Sequence, residues 1–166
     1  MIISNPSAEQ RGYVSKIQPV AQDPLKRAMD VFVAGGALVF FAPLLLLVAV
    51  LIKLESRGPV FFQQKRGGLN GQAFTIFKFR SMRVQEHGDK VVQARRDDDR
   101  ITAIGRLIRK TSIDELPQLL NVLKGDMSIV GPRPHALAHD AQYGALIANY
   151  HLRFRARPGL TGLAQI

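Results

Sequence analysis

Residues Val31 to Ile52 have the sequence VFVAGGALVFFAPLLLLVAVLI, a run of 22 residues without a charge. A helix rises about 1.5 Å per residue, so this run is long enough to cross a hydrocarbon core of roughly 30 Å. Pro43 lacks the N–H that a helix interior uses, so we expect the helix to break at Ala42 and Pro43. The run therefore predicts a membrane segment that is broken near its middle.

Basic residues flank this run on both sides. Lys26 and Arg27 precede it, and Lys53 and Arg57 follow it. Because cationic residues favour the cytoplasmic side of a membrane, a segment that is basic at both ends is poorly polarised for crossing. We therefore expect a re-entrant helix that enters the bilayer, turns at the proline and returns. A kinked spanning helix is the alternative.

The composition is typical of a basic protein at a membrane surface. The chain has 166 residues, enough for one domain, and its formal charge of +10 favours contact with anionic lipid, nucleotide or phosphate. Zero cysteines exclude disulfides and thiol-based zinc sites, and the four histidines lack metal-ligand spacing. A nucleic-acid binder is another class to weigh, but the basic residues are spread along the chain and form no recognised motif. We expect no nucleic-acid partner.

The segments after the apolar run predict an α+β fold. PVFFQQK and AFTIFKFRSM flank the turn sequence GGLNG, which indicates a β-hairpin. Residues 101–109 and 136–152 are predicted helices, whereas GPRP near residue 133 and PGLTGL near residue 160 are predicted turns. We divide the chain into an N-terminal arm (1–25), a re-entrant membrane helix (26–55) and a small cytoplasmic α/β domain with a β-hairpin and short amphipathic helices (56–166).

Two adjacent carboxylates, Asp114 and Glu115, stand near the predicted start of another helix. Capping by Asp114 places Pro117 in the first turn, where no N–H is needed, and Gly125 is an ordinary helix stop. A helix N-terminus and nearby arginines lower a carboxylate pKa, so we expect Asp114 to be ionised and available as a nucleophile or metal ligand. In the alternative interpretation, Asp114 only caps the helix and Glu115 is a solvated acid.

Four segments of the chain resemble the monotopic phosphoglycosyl transferases, a family of bacterial sugar transferases. They are KRAMD before the interrupted apolar run, GPVFFQQKRGGLNGQAFTIFKFRSM, RITAIGRLIRKTSIDELPQLLNVLKGDMSIVGPRP, and RPGLTGLAQI. Together they cover about residues 26–166. Enzymes of this family transfer a sugar phosphate from a UDP-sugar to undecaprenyl phosphate, release UMP, and begin the assembly of exopolysaccharide, capsule or O-antigen.

The resemblance implies roles for the residues singled out above. Asp114 would attack the sugar-linked phosphate and form a covalent phosphosugar-aspartate. Glu115 would help to hold Mg²⁺ or activate the lipid phosphate, so both carboxylates are candidate metal ligands. The basic residues expected at the donor phosphates are Arg109, Arg133, Lys78, Arg80 and Arg157. The re-entrant helix would hold the catalytic domain in contact with lipid on the cytoplasmic face of the bacterial inner membrane.

The resemblance is to the minimal catalytic form of the family, without a large N-terminal multi-helix portion. Many relatives continue beyond the AQI segment, so we expect a shortened C-terminus here. The alternative function is therefore a non-catalytic or truncated membrane-anchored protein that interacts with other glycan-assembly proteins. The transferred sugar, the pathway and the oligomeric state are not encoded in any motif of this sequence.

Overall fold

The structure is a computed structural model that describes residues 23–83 and 98–162. The expected N-terminal arm lies almost wholly outside the described residues. The helices and strands are α1 (Pro24–Glu55), β1 (Phe61–Gly67), β2 (Ala73–Phe79), α2 (Ala103–Lys110), α3 (Gln118–Lys124), β3 (Ser128–Val130), α4 (Leu137–Leu146) and β4 (Gly159–Thr161), with 3₁₀ turns at Leu69–Gly71, Ile113–Glu115 and Tyr150–Arg155. This mixture confirms the predicted α+β class.

Helix α1 begins at a cap that the sequence specifies locally. The Asp23 side chain accepts hydrogen bonds from the backbone N–H groups of Leu25 and Lys26, at 2.9 and 3.4 Å. Pro24 occupies the first turn, where a missing N–H costs nothing. The helix continues through Pro43. The break expected at Ala42 and Pro43 therefore does not interrupt the helix. Within the described ranges, α1 is the one helix long and apolar enough to cross a membrane. Its reversal in a bilayer stays a prediction.

Both halves of α1 pack against the rest of the chain. Ala34 in the first half is buried in a cluster with Leu119 and Val122 of α3. Ile52 in the second half is buried in another cluster, which includes Ile108 of α2. Residues 56–83 and 98–162 therefore pack along both halves of α1.

Polar side chains tie the first turns of α1 to the same domain. The Arg27 guanidinium donates to the carbonyl oxygens of Val122 (2.6 Å) and Leu123 (2.8 Å), at the end of α3. The buried Asp30 carboxylate accepts from the backbone N–H of Ile129 in β3, at 3.0 Å. These contacts account for an arginine and an aspartate at the start of an otherwise apolar helix.

Two small sheets complete the fold. The predicted hairpin is confirmed, because β1 and β2 pair antiparallel with Phe61 opposite Phe79. The second sheet was not predicted: β3 and β4 pair in parallel, with Ser128 opposite Gly159. The sequence PGLTGL is thus partly a strand and not only a turn. Each strand has three residues, too few for an alternation pattern to be visible in the sequence.

The predicted helices exist with shifted bounds. The segment expected at residues 101–109 is helix α2, whose cap is Thr102, and the Thr102 hydroxyl accepts from the Gly105 N–H at 2.9 Å. The segment expected at 136–152 divides into α4 and a 3₁₀ turn. Asn149 has φ 64 between them, a left-handed backbone that ends regular helix. Tertiary packing and local turns, which periodicity does not report, set these bounds.

Candidate functional site

Asp114 and Glu115 lie in a 3₁₀ turn between α2 and α3, and not at the N-cap of a helix. Ser112 has φ 57, so the chain turns sharply before the two carboxylates, and α3 begins only at Gln118. The prediction that Asp114 caps this helix was therefore wrong. Pro117 takes the N-cap position, where its fixed φ of −60 fits and its missing N–H is not needed. Gly125 ends the helix with φ 93, as predicted.

Glu115 is held by two cations from distant parts of the chain. Its Oε1 atom lies 2.7 Å from Nζ of Lys78 on β2 and 3.1 Å from Nη2 of Arg133. The side chains of Lys78 and Glu115 are 19% and 21% exposed, whereas that of Arg133 is 49% exposed. Burial alone would raise the pKa of Glu115, but Lys78 and then Arg133 lower that pKa below its ordinary value. Glu115 is therefore an ionised, anchored carboxylate.

Asp114 has the opposite electrostatic character. Burial raises the pKa of the Asp114 carboxyl above its ordinary value, and the neighbouring charge of Glu115 adds to the rise. Lys78 and Arg109 oppose this shift without cancelling it. The expectation of a lowered pKa was wrong, because desolvation outweighs the cations and the carboxylate does not cap a helix. Its charged form is poorly solvated, which suits a nucleophile.

An open cleft of about 260 Å³ is lined by Glu115, the residue that follows Asp114. It lies between the hairpin, the start of α3 and the GPRP turn, and it is lined by Arg66, Ile76, Lys78, Glu115, Gln118, Arg133, Pro134 and Gly159. Three of these side chains are cations and one is an anion. The cleft therefore favours an anionic ligand beside Glu115.

The structure brings three of the five predicted phosphate-binding residues to this region. Lys78 and Arg133 line the cleft. Arg109 is exposed in the last turn of α2, and it acts on Asp114 through its charge. The side chains meet because the hairpin, α2 and the GPRP turn converge on the 3₁₀ turn.

Arg80 and Arg157, the other two predicted residues, do not line the cleft. Arg80 is 4% exposed, and its guanidinium donates to the carbonyl oxygens of Ser56 (2.8 Å) and Arg57 (2.7 Å), where α1 ends. Nε of Arg157 donates to the carbonyl oxygen of Gly125, at 3.0 Å. Both arginines satisfy backbone carbonyls at helix ends, which stabilises the fold.

Arg66 is a cleft residue that the sequence reasoning missed. Side chains alternate along β1, so Lys65 is exposed while Arg66 is half-buried on the cleft side. A period of two along QQKRG was the available signal. A period of two puts Lys65 and Arg66 on opposite faces of the strand. Which of the two faces the cleft is decided only when the hairpin packs against the rest of the chain.

The carboxylate pair is compatible with a magnesium ion that is shared with a substrate. Across residues 23–83 and 98–162, no group of three or more histidine, cysteine or acidic side chains forms a metal cage. Mg²⁺ commonly binds one or two carboxylates and completes its shell with water and substrate phosphate. Asp114 and Glu115 are adjacent carboxylates in the 3₁₀ turn, and Glu115 lines the cationic cleft, which fits that pattern.

The chain is similar in sequence to a known protein family and to several of its members. The sequence profile described as bacterial sugar transferase matches residues 21–166. The chain is 60% identical over 147 residues to the UDP-glucose:undecaprenyl-phosphate glucose-1-phosphate transferase of Caulobacter vibrioides, covering 89% of this chain and 55% of that protein. It is 51% identical over 142 residues to the protein of the same name from Escherichia coli K12, covering 86% and 31%.

A third relative is closer to this chain in length. The chain is 53% identical over 146 residues to the exopolysaccharide production protein PSS of Rhizobium leguminosarum bv. phaseoli, covering 86% of this chain and 73% of that protein. The chain thus spans about half or less of the two named transferases and nearly three quarters of the third protein. The family profile matches residues 21–166, which include both carboxylates and every residue that lines the cleft.

Proposed function

The chain belongs to the bacterial sugar transferase family, and from this premise we propose that it transfers a sugar phosphate from a UDP-sugar to undecaprenyl phosphate. The product would be the first lipid-linked intermediate of an exopolysaccharide. One observation carries the proposal: Asp114 directly precedes Glu115, which lines a cationic cleft and which Lys78 and Arg133 hold in place. UDP-glucose is the first donor to test, because two relatives are named for it.

In the first step, a carboxylate oxygen of Asp114 attacks the phosphorus that bears the sugar. The bond between this phosphorus and the oxygen that bridges to the second phosphate breaks, and UMP leaves with that oxygen. The sugar phosphate is then bonded covalently to Asp114. A poorly solvated carboxylate loses little hydration as it approaches the phosphorus, which lowers the barrier to attack.

In the second step, a phosphate oxygen of undecaprenyl phosphate attacks the same phosphorus. The bond to Asp114 breaks, the carboxylate is regenerated, and the sugar diphosphate remains on the lipid. Two successive displacements allow a soluble donor and a membrane-bound acceptor to use one cleft in turn. Glu115 is ionised by its two cationic partners, so it is suited to position the incoming phosphate with a metal and not to donate a proton.

Charge repulsion is the main obstacle to both steps, because a carboxylate approaches an already anionic phosphorus centre. Lys78 and Arg133 place positive charge next to the dyad, where it offsets that repulsion in the transition state. Bound Mg²⁺ would supply further charge neutralisation at the phosphoryl oxygens, with Asp114 and Glu115 as its ligands. Arg109 adds a longer-range contribution at Asp114.

The acceptor lipid requires a membrane, and α1 is suited to reach one. Its outward face carries large exposed apolar side chains, including Leu25, Phe32, Val39, Phe40, Leu46 and Leu54. Burial of such surface in lipid is favourable at about 25 cal/mol per Å². We place α1 as a re-entrant helix in the cytoplasmic leaflet of the inner membrane, with the cleft facing the cytoplasm.

A UMP-release assay tests the proposal. The full chain, purified in detergent, is mixed with undecaprenyl phosphate, Mg²⁺ and a series of UDP-sugars that begins with UDP-glucose. We expect UMP to appear in proportion to lipid-linked sugar phosphate with at least one donor. With the donor alone, intact-mass spectrometry should detect a phosphosugar adduct on Asp114. UMP formation from none of the donors would refute the proposed function and favour a non-catalytic role in glycan assembly.

A further inference from the structure

Arg66 is a cleft arginine whose two side-chain hydrogen bonds leave part of its guanidinium unused. Its Nη1 donates to the carbonyl oxygen of Pro134 at 3.3 Å, and its Nη2 donates to Oε1 of Gln64 at 2.6 Å. Its Nε is buried and has no hydrogen-bond partner among residues 23–83 and 98–162. A guanidinium carries five N–H donors, so the two bonds leave further N–H groups of this cleft-lining side chain for a ligand.

The charges around Arg66 point to the same kind of ligand. Both hydrogen-bond acceptors of its guanidinium are neutral oxygens, whereas Lys78 and Arg133 each bond directly to Glu115. Burial lowers the pKa of Arg66, and the charge of Arg133 lowers it further, against smaller opposing effects of Asp140 and Glu115. A buried cation beside a like charge is stabilised when an anion enters the cleft.

We propose that Arg66 binds the phosphate that leaves with the nucleotide, while Lys78 and Arg133 face the phosphate that Asp114 attacks. The inference rests on the proposed function and specifies how that site holds its donor. A UDP-sugar presents two phosphoryl groups in series, so a single cleft must stabilise both. The attacked one has to be next to Asp114, and Arg66 supplies a separate cation of the same cleft for the other.

The chemistry of the leaving group favours an arginine at this position. When the bond between the attacked phosphorus and the bridging oxygen breaks, negative charge accumulates on the phosphate of UMP. A guanidinium remains protonated in proteins and can donate two parallel N–H groups to a phosphate. Arg66 therefore stabilises the departing phosphate by charge and hydrogen bonds, and it transfers no proton.

Binding of UMP and uridine to the full chain in detergent micelles tests this role, because the two probes differ only by the phosphate. Arg66→Gln removes the charge, and we expect it to weaken UMP binding about 10- to 100-fold, the loss of hydrogen bonds to a charged group. Arg66→Lys keeps the charge without the fork, and we expect a smaller loss of about tenfold. Uridine binding, followed by ligand-observed NMR, should be unchanged. The matched control is Lys65→Gln, the exposed neighbour on the same strand.

Steady-state kinetics provide a second readout. In Arg66→Gln the UMP inhibition constant should rise with the UMP dissociation constant, while the KM for undecaprenyl phosphate stays at the wild-type value. Wild-type UMP affinity in Arg66→Gln overturns the inference, and so does a change confined to the lipid KM, which would assign Arg66 to the acceptor phosphate. If Arg66→Gln does not fold, Arg66→Lys decides, and wild-type UMP affinity in that variant leaves Arg66 a structural role only.

The two proposals fail in different ways. A wild-type protein that forms no UMP from any UDP-sugar refutes the proposed function. A wild-type protein that forms UMP, together with an Arg66→Gln variant whose UMP inhibition constant is unchanged, refutes only the role of Arg66.

Discussion

The link between Lys78 and Glu115 is the contact whose removal tests the site most directly. Lys78→Met keeps the length and apolar stem of the side chain and removes its charge. Glu115 would then keep the 3.1 Å contact with the half-exposed Arg133 but lose the 2.7 Å contact with Lys78. The same substitution at the exposed Lys65, on the neighbouring strand, is the matched control.

The size of the effect on stability follows from distance and exposure. A hydrogen bond to a charged group contributes about 1.5–3 kcal/mol, and this pair is neither fully buried nor at the open surface. We therefore expect Lys78→Met to lower the free energy of unfolding by about 2 kcal/mol. For a chain of this length, that corresponds to a decrease in Tm of roughly 4–8 °C. Circular dichroism of the detergent-solubilised protein measures it.

The effect on activity should be larger than the effect on stability suggests. Removal of one preorganised electrostatic group typically lowers kcat about 10²- to 10³-fold, and we expect a loss of about 10²-fold in UMP release. The pH dependence should also change. Asp114 must be ionised to attack, so activity falls as the pH drops through its raised pKa. Because Lys78 lowers that pKa, Lys78→Met should raise it further and move the acid limb of the profile to higher pH.

Two results would refute this reasoning. One is an acid limb that stays at the wild-type pH in Lys78→Met, since Lys78 would then exert no electrostatic effect on Asp114. The other is an equal loss of activity in Lys65→Met, since the effect would then reflect the overall charge of the hairpin and not the contact with Glu115.

Three further substitutions test separate parts of the structure. Asp114→Asn should abolish UMP release without changing membrane attachment, while Asp99→Asn at an exposed position should retain activity; turnover by the Asp114 variant would remove that residue from the nucleophilic role. Arg80→Gln should lower stability by about 2–4 kcal/mol, since it removes the charged hydrogen bonds to the carbonyls of Ser56 and Arg57, yet keep the wild-type donor KM; a raised KM with unchanged stability would return Arg80 to the phosphate site. Pro43→Ala should straighten α1 toward a spanning helix, which cysteines introduced singly at both flanks of this cysteine-free chain would report; unchanged cytoplasmic labelling of both flanks would show that Pro43 does not turn the chain.

Much of the fold was predictable because its signals are local. The apolar run that becomes α1, the GGLNG turn of the hairpin and Gly125 at the end of α3 each depend on residues within a few positions of one another. The sheet formed by β3 and β4 was not predictable in this way. Its two strands are short and distant in the sequence, and only the packed chain brings them together.

The same distinction between local signals and long-range contacts applies to the candidate site. The sequence by itself determined that two adjacent carboxylates, a long apolar helix and a strong positive charge occur in one chain, since these are properties of composition and order. Only the tertiary structure decided which cations reach Glu115, because Lys78 and Arg133 lie 37 and 18 residues away from it. It also decided that burial raises the pKa of Asp114 and that Arg80 binds backbone carbonyls. Desolvation and long-range pairing depend on which surfaces pack together, and a residue's sequence neighbours do not contain that information.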